Sequence, residues 1–533
     1  MKHGNVRSLK LSGAVLVAAT TLGAMLPTWA LAQEAHLDIA LGGAILSMDP
    51  HYSIVTSNQM VSDNFFDGLT DRDASFRAVP ALAVSWEATG EVEWLFKLRE
   101  GVTYSDGTAF VAKDVVASID RATNLPNSPS SFKTYTNSIA SVEAVDDLTV
   151  KITTSRPNPL LPVELANVMI VPHRLQTAET GAFNSGEAMV GTGPYVLGSY
   201  TPGGDVTMSR NAGYWGDAPE WDSVKLSVVS NDASRTAGLL SGDYDLIDQV
   251  AVSDLERLQG AKGLKVTMIP SNRVIFMMLD HFSETNPYIT GPNGEVLDTN
   301  PLKDLRVRQA LSMAINREGI TDRILRGQGT PAGQFLPASY PGTSDTLPVP
   351  AYDPDAAKAL LAEAGYPDGF RMTIIGPNDR YTNDSEVLQA MAQMFSRIGV
   401  VTQADPSPWA TFRPKVTNSD FAMALFGWAS NTGEAGMSMH ALIGTKDDAL
   451  GRGGPNGGRY SNPKVDALIQ AAIVTINNDQ RAAALAEVTE IAMKDVAILP
   501  LYYTAITWAM RDDLVFEGKA DEFTTAQATV RAK

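Results

Sequence analysis

Apolar residues along this chain recur at two periods. Ala357, Leu360, Leu361 and Ala364 fall three and four residues apart, preceded by Asp353-Pro354 and followed by Gly365. A carboxylate N-cap, a proline whose missing N–H costs nothing in the first turn and a glycine stop together predict a helix with one buried face. Asn462-Pro463 starts the same pattern, with Val465, Leu468, Ile469 and Ala472 as its stripe. Ser385 is the expected cap of a third helix, whose Leu388, Met391, Phe395 and Ile398 face inward before Gly399, and Asp304 opens a fourth with Val307, Ala310, Leu311, Ala314 and Ile315. Before and between the helical stripes lie strand-like runs such as Leu148 to Thr153, Val266 to Ile269 and Met372 to Ile375. Strands and helices interleaved along the chain predict an α/β architecture. No repeat period and no long low-complexity linker divides it.

The start reads differently. Lys2, Arg7 and Lys10 precede a weakly apolar run from Leu11 to Leu26, Pro27 follows, and Ala30-Leu31-Ala32 supplies small residues at a cleavage position. Residues 1–32 are therefore expected to be a cleaved secretory signal peptide, because the run is too short and too rich in Ala, Gly and Thr to span a bilayer. The chain has no cysteine. Lipid attachment after cleavage needs one, so the expectation is an unlipidated protein in a bacterial periplasm.

Composition removes several classes. Without cysteine there are no disulfides, zinc-thiolate modules, iron–sulfur clusters or thiol nucleophiles. The 533 residues carry 60 Asp plus Glu against 42 Lys plus Arg, a formal charge of -18, and removal of the leader takes this to about -21. Phosphate binding needs the opposite balance, which argues against a nucleic-acid partner. The nearest histidines, His36 and His51, are fifteen residues apart, and a helical metal pair needs a spacing of about four. Phosphate-binding Gly-rich loops and Gly-x-Ser-x-Gly elbows are missing. Ser130-Ser131-Phe132-Lys133 and Ser62-Asp63-Asn64 match two motifs of penicillin-recognising serine enzymes, but in reversed order and without the Lys-Thr-Gly third. No catalytic residues, metal or cofactor are implied.

Several segments carry a resemblance. They include Met48-Asp49-Pro50, the run Asn64 to Asp71, Tyr104-Ser105-Asp106-Gly107, Gly191-Thr192-Gly193-Pro194-Tyr195, Asn211 to Gly216, Arg306 to Leu311, Leu361 to Tyr366 and Tyr460 to Asp466. In this order, over about residues 37 to 505, they resemble the bacterial solute-binding proteins of family 5, which serve ABC importers of peptides, nickel complexes and related solutes. The resemblance implies a large, three-subdomain, bilobal periplasmic-binding-protein fold with its ligand cleft between the lobes. Lobe I is expected over residues 33–272, with an extra subdomain at about 65–190, lobe II over 273–499, and a return to lobe I over 500–533. Val274 to Leu279 and Ile498 to Tyr503 are the expected crossover strands. The implied function is capture of a peptide or peptide-like small organic solute by a monomer that delivers it to the transmembrane subunits of an ABC permease.

The resemblance also points to site residues. A polar loop after the strand Met372 to Ile375 holds Arg380 and Tyr381, and the planar fork of Arg380 suits a ligand carboxylate; the other reading pairs it with Asp379 or Asp384. A second segment holds Trp428, Asn431, Thr432 and Glu434. Peptide binders of the family place an aspartate at the position of Asn431, where it receives the peptide's amino terminus. A neutral amide accepts a hydrogen bond from an ammonium group without neutralising its charge. Either Glu434 takes that part, or the solute is an opine, sugar-like, cationic or metal-chelate molecule. Trp428 is expected to stack on the solute or to pack on the following helix. Met48 and Asn64 are further candidates in lobe I by position in the family. An exported hydrolase with dispersed acidic catalytic residues is the alternative from another class.

Overall fold

Two long strands organise the molecule. The computed structural model describes residues 34–533 apart from Ser339, Asn431 and Ala449, so the expected signal peptide lies outside the described residues. The Val266–Ile269 run belongs to the strand Leu264–Leu279, which pairs antiparallel with Ile498–Arg511 from Leu264 opposite Arg511 to Met278 opposite Ile498. On one side of this ribbon, Leu246–Asp248 pairs with Ile498–Arg511 and leads to His36–Leu41, Ser223–Val228, Val206–Arg210 and Tyr195–Tyr200. On the other, Met423–Ala429 pairs with Leu264–Leu279 and leads to Phe370–Pro377, which is flanked by Val400–Ser407 and Ile289–Thr290. Each half has a parallel centre. His36–Leu41 lies parallel to both its neighbours, and so does Phe370–Pro377 to Val400–Ser407 and Met423–Ala429. Central strands of this kind are covered on both faces, which is why Ile39 to Leu41 and Met423 to Gly427 are buried without interruption.

A separate antiparallel sheet, Ala83–Ala88, Glu93–Leu98, Thr149–Thr154 and Ile139–Asp146, packs against the helix Ala112–Asn124 around Phe96, Val115, Ile119, Val150 and Ile152. Arg121 on that helix ties it to the first half of the main sheet. Its guanidinium makes two bonds of 2.7 Å to the Asp49 carboxylate, both groups being buried, and Thr180 donates to the same carboxylate. The Met48-Asp49-Pro50 motif thus has a structural use in a fully paired buried charge.

Helix ends follow the local chemistry. Asp353, Asn462 and Asp304 accept from first-turn backbone N–H groups of the helices Pro354–Glu363, Pro463–Ala472 and Leu305–Met313. The cap expected at Ser385 is displaced. The helix Asp384–Arg397 starts two residues earlier, behind Asn383 at φ 51°, where the Asp384 carboxylate accepts from the backbone N–H groups of Arg380, Tyr381 and Ser385. An ionised carboxylate outcompetes a hydroxyl for such donors. Leu388, Met391, Phe395 and Ile398 are buried as their spacing requires, whereas Leu360 and Ala364 only border the core. No helix among the described residues is long and apolar enough to cross a membrane.

Gly191 and Gly193 cross the backbone at Phe65, with Gly193 N–H donating to the Phe65 carbonyl at 3.0 Å. A Cβ on Gly193 would sit 2.4 Å from the Phe65 carbonyl carbon, and one on Gly191 2.0 Å from its oxygen. Backbone cannot yield there as a flexible side chain would. Gly193→Ala is expected to destabilise the fold by about 3 kcal/mol or more, read from urea unfolding midpoints. A loss under about 1 kcal/mol would show that the crossing can open.

Burial raises the Glu164 carboxyl from 4.5 to about 7, against the opposing bond from Asn158 Nδ2 at 2.7 Å. The folded chain therefore holds this proton more tightly than the unfolded chain does, and stability falls as pH rises from 4.5 to about 7. Glu164→Gln keeps the acceptor and removes the titration. The variant is expected to exceed the parent by about 1–2 kcal/mol near pH 8, a value discounted for partial exposure, with the difference vanishing near pH 4.5. Equal thermal midpoints near pH 8 would contradict this.

Candidate functional site

The central ladder shifts register twice near the middle of the ribbon, the smaller time between Ile275 opposite Tyr502 and Phe276 opposite Pro500. At the larger shift Pro270 pairs with Ala505 and Val274 with Tyr503, so Ser271, Asn272 and Arg273 stand against Thr504 alone. The excess is held by side chains: the Ser271 and Thr504 hydroxyls lie 2.6 Å apart, Asn272 Nδ2 donates to the Ser430 carbonyl at 2.6 Å, and Ser271 Oγ accepts from Arg273 N–H. A bulge re-aims the residue it displaces. Arg273 borders a cavity of about 140 Å³ that is also lined by Gln59, Arg72, Ser430 and Glu522.

This cavity adjoins a cleft of about 720 Å³, and Thr56 and Glu522 line both. The cleft is walled by the helix Thr56–Ser62, the segment 248–253, Thr382 and Asn383, and Ala505 to Trp508. The 248–253 wall depends on Arg235, a fully buried guanidinium that donates to the carbonyls of Val229 and Gln249 and to the Asp232 carboxylate. Asp248 accepts from Gly42 N–H at 2.7 Å. Burial outweighs that bond and Arg235, and leaves its carboxyl raised to about 6.

The residues expected from sequence fall in different places. The Arg380 guanidinium is exposed and stacks on Trp409, 5.3 Å from the ring centre. No carboxylate of the described residues lies within ion-pairing distance of it; Asp384 spends its oxygens on backbone donors, and Asp379 accepts from Trp409 N–H. Tyr381 is pinned to the strand behind, its hydroxyl accepting from Gly427 N–H at 2.9 Å and reaching the Gly427 carbonyl at 3.3 Å. Trp428 is half-buried opposite Val274 and packs on the core of the second half of the sheet. Thr432 borders a third cavity, of about 850 Å³, together with Trp86, Trp94, Gly433 and Glu434. Asn431 lies outside the described residues.

Glu434 does not offer a free carboxylate. It is buried and bonded to Arg481 Nε at 2.8 Å. Burial raises its carboxyl while Arg481 opposes. Met48 is core beside Ile39 and Phe183, and Asn64 bridges backbone, donating to Met60 O and accepting from Ala526 N–H. Both lie away from the cleft. At the edge of the third cavity Phe76, at φ 60°, packs on Tyr340 at 6.3 Å and over Gly433, where a Cβ would come 1.9 Å from that of Phe76.

Arg273 and Glu522 were not among the residues expected from sequence, and both belong to the cleft. Arg273 had a signal: Pro-Ser-Asn-Arg interrupts an otherwise strand-like run directly before the expected crossover at Val274. Glu522 sits in a loop after the strand Leu514–Phe516, about 250 residues from Arg273, and no local pattern joins them. Burial within the walls of the cleft raises the Glu522 carboxyl, while Arg273 and Arg380 draw it down from across the space. Among the described residues no group of three or more His, Cys, Asp or Glu side chains is arranged to hold a metal.

Comparison with known proteins agrees with this fold. The chain is 29% identical over 470 residues to the glutathione-binding protein GsiB of Salmonella typhimurium, covering 87% of this chain and 88% of that protein. Its fold matches the unliganded open form of the periplasmic murein tripeptide binding protein MppA with a TM-score of 0.81, at 21% identity over 94% of this chain and 98% of that one. It also matches the periplasmic binding protein DppA of Helicobacter pylori in complex with the peptide STSA, with a TM-score of 0.67 at 22% identity over 94% and 99%. These neighbours share the mixed α/β, bilobal periplasmic-binding fold. The model of bacterial extracellular solute-binding proteins, family 5, matches residues 77–449, well over half of the sequence, and the chain belongs to that family of ABC-importer substrate-binding proteins.

Proposed function

We propose that this protein captures a peptide or peptide-like zwitterionic solute in the periplasm and delivers it to an ABC permease. The observation that carries this reading is a pair of guanidiniums, Arg273 lining the cavity at the ladder break and Arg380 on the loop whose Thr382 and Asn383 line the cleft, with no carboxylate among the described residues in ion-pairing contact with either. A ligand carboxylate satisfies such groups with charge-assisted, paired hydrogen bonds. The names of the similar proteins, which bind glutathione, a murein tripeptide and a peptide, support the solute class.

The register break supports a lobe boundary near residue 272, with Ser271 to Arg273 and Thr504 as the hinge and the antiparallel sheet around Phe96 as the extra subdomain at about 65–190. Hinge closure over a solute moves a few residues at such a point while the packed halves travel as bodies. Closure would bring Arg380, on one half, toward Glu522 and Thr56, on the other. The expected leader over residues 1–32 supports export, and the protein is expected to act as a monomer.

Calorimetric titration with reduced glutathione, unblocked tri- and tetrapeptides, a nickel–histidine complex and a sugar tests the assignment. Saturable binding in the micromolar range or tighter is expected for one or more of the peptides; binding confined to the nickel complex or the sugar would overturn it.

Arg380→Ala is expected to weaken a peptide with a free C-terminal carboxylate by about tenfold or more, while the C-terminal amide of the same peptide changes less than about twofold. Equal losses for both forms would remove the carboxylate role from Arg380.

A further inference from the structure

The loop that carries Glu522 is fastened on both sides of that residue and strained at it. Lys519 Nζ reaches the Asp71 carboxylate at 3.3 Å and the Arg72 carbonyl at 3.0 Å, Ala520 is buried, and the Asp521 carboxylate accepts from Phe523 N–H at 3.0 Å. Arg72 lies 3.8 Å from Asp521 and stacks between Phe76 and Phe523. Between these anchors Glu522 adopts φ 69°, and its N–H closes a turn on the Lys519 carbonyl. A glutamate is costly in the left-handed region, and strain of this kind persists where the surroundings fix it and the side chain's direction is of use.

That direction is into the cleft. Other carboxylates bordering the cavities are already occupied: Asp232 by Arg235, Asp248 by Gly42 N–H, and Asp521 by Phe523 N–H with Arg72 beside it. Glu522 lines both adjoining cavities and has no hydrogen bond or ion pair to its carboxylate among the described residues. Solvent reaches it, yet protein rings it closely enough that the charged form is disfavoured, and the Arg273 and Arg380 guanidiniums act on it from a distance without contact. One acid and one base, Glu522 and Arg273, thus line a shared cavity, and Arg380 acts on the same acid from the loop at the cleft's edge, each lacking among the described residues the partner that a zwitterion would bring. A charge losing its water as the cleft closes is compensated only by a direct countercharge.

We propose that Glu522 receives the primary ammonium group of the solute, while Arg273 and Arg380 take its carboxylate, so that the site selects molecules with a free amine. This rests on the peptide-like reading above and narrows it: N-acylated peptides and plain organic anions are excluded by the unneutralised Glu522, and simple amines by the unanswered guanidiniums. Selection of this kind comes from leaving a buried group without its partner in the wrong complex.

The test is calorimetry with trialanine, N-acetyl-trialanine and reduced glutathione on the full chain, Glu522→Gln and Glu522→Gly. Glycine relieves the positive φ while deleting the carboxylate, so it keeps a folded comparison if the glutamine variant loosens the loop. The parent is expected to bind trialanine about tenfold or more tightly than its acetylated form. Both variants are expected to lose that preference, by weaker binding of trialanine and glutathione with less than about twofold change for N-acetyl-trialanine. Equal weakening of free and acetylated peptide, or an unchanged preference, overturns the role of Glu522 and leaves the peptide reading standing. A parent that binds none of the three overturns both.

Discussion

The antiparallel ladder between Leu264–Leu279 and Ile498–Arg511 is the constraint on which the rest depends. Each strand is long enough to serve both halves of the main sheet, and pairing them makes two separately packed cores share one ribbon. Backbone hydrogen bonds fix the ribbon except at a small shift after Ile275 and where three residues stand against Thr504. At Thr504 the ladder gives up regularity, side chains take over the bonding, and a guanidinium is turned toward the cavity between the halves. An uncompensated register slip would move every alternate side chain to the wrong face; at this break the displaced residues Ser271 and Asn272 have partners of their own.

Charges in this protein divide by what they touch. Asp49 with Arg121, and Glu434 with Arg481, are buried and paired, with direct bonds of 2.7 and 2.8 Å; they position elements and have little left to offer a ligand. Arg273, Arg380 and Glu522 border open space and lack such partners. Keeping three charges apart in a cleft sacrifices some stability, since each would gain from pairing, and the left-handed backbone at Glu522 adds to that cost. The arrangement is intelligible if a solute supplies the missing countercharges and, by doing so, stabilises the closed state over the open one.

The same division explains how far sequence reasoning carried into the site. The polar loop after the strand Phe370–Pro377 was legible because a charged segment interrupts buried parallel structure; its Thr382 and Asn383 line the cleft, while Arg380 is exposed and stacks on Trp409. Tyr381 and Trp428 were legible as aromatic residues near the same edge, yet Tyr381 is tied by its hydroxyl to Gly427 and Trp428 leans on core. Met48, Asn64 and Glu434 occupy characteristic segments whose use here is packing and bridging. The resemblance called for a carboxylate near Asn431; Glu434 is three residues away but committed to Arg481, and the carboxylate free in the cleft, Glu522, comes from a distant loop.

By itself the sequence determined what depends on neighbours within a few residues: the caps at Asp353, Asn462 and Asp304, the buried stripes, and the alternation of strand and helix. These follow from backbone donors, side-chain reach and periodicity, all of which are short-ranged. Tertiary structure alone decided which charges are paired and which face solute. Pairing depends on contacts such as those of Glu434 with Arg481 and of Asp49 with Arg121, on where a ladder breaks, and on a C-terminal loop returning beside the first helix. Coulomb energy depends on separation in space and on the water left around each group, and the order of residues along the chain records neither.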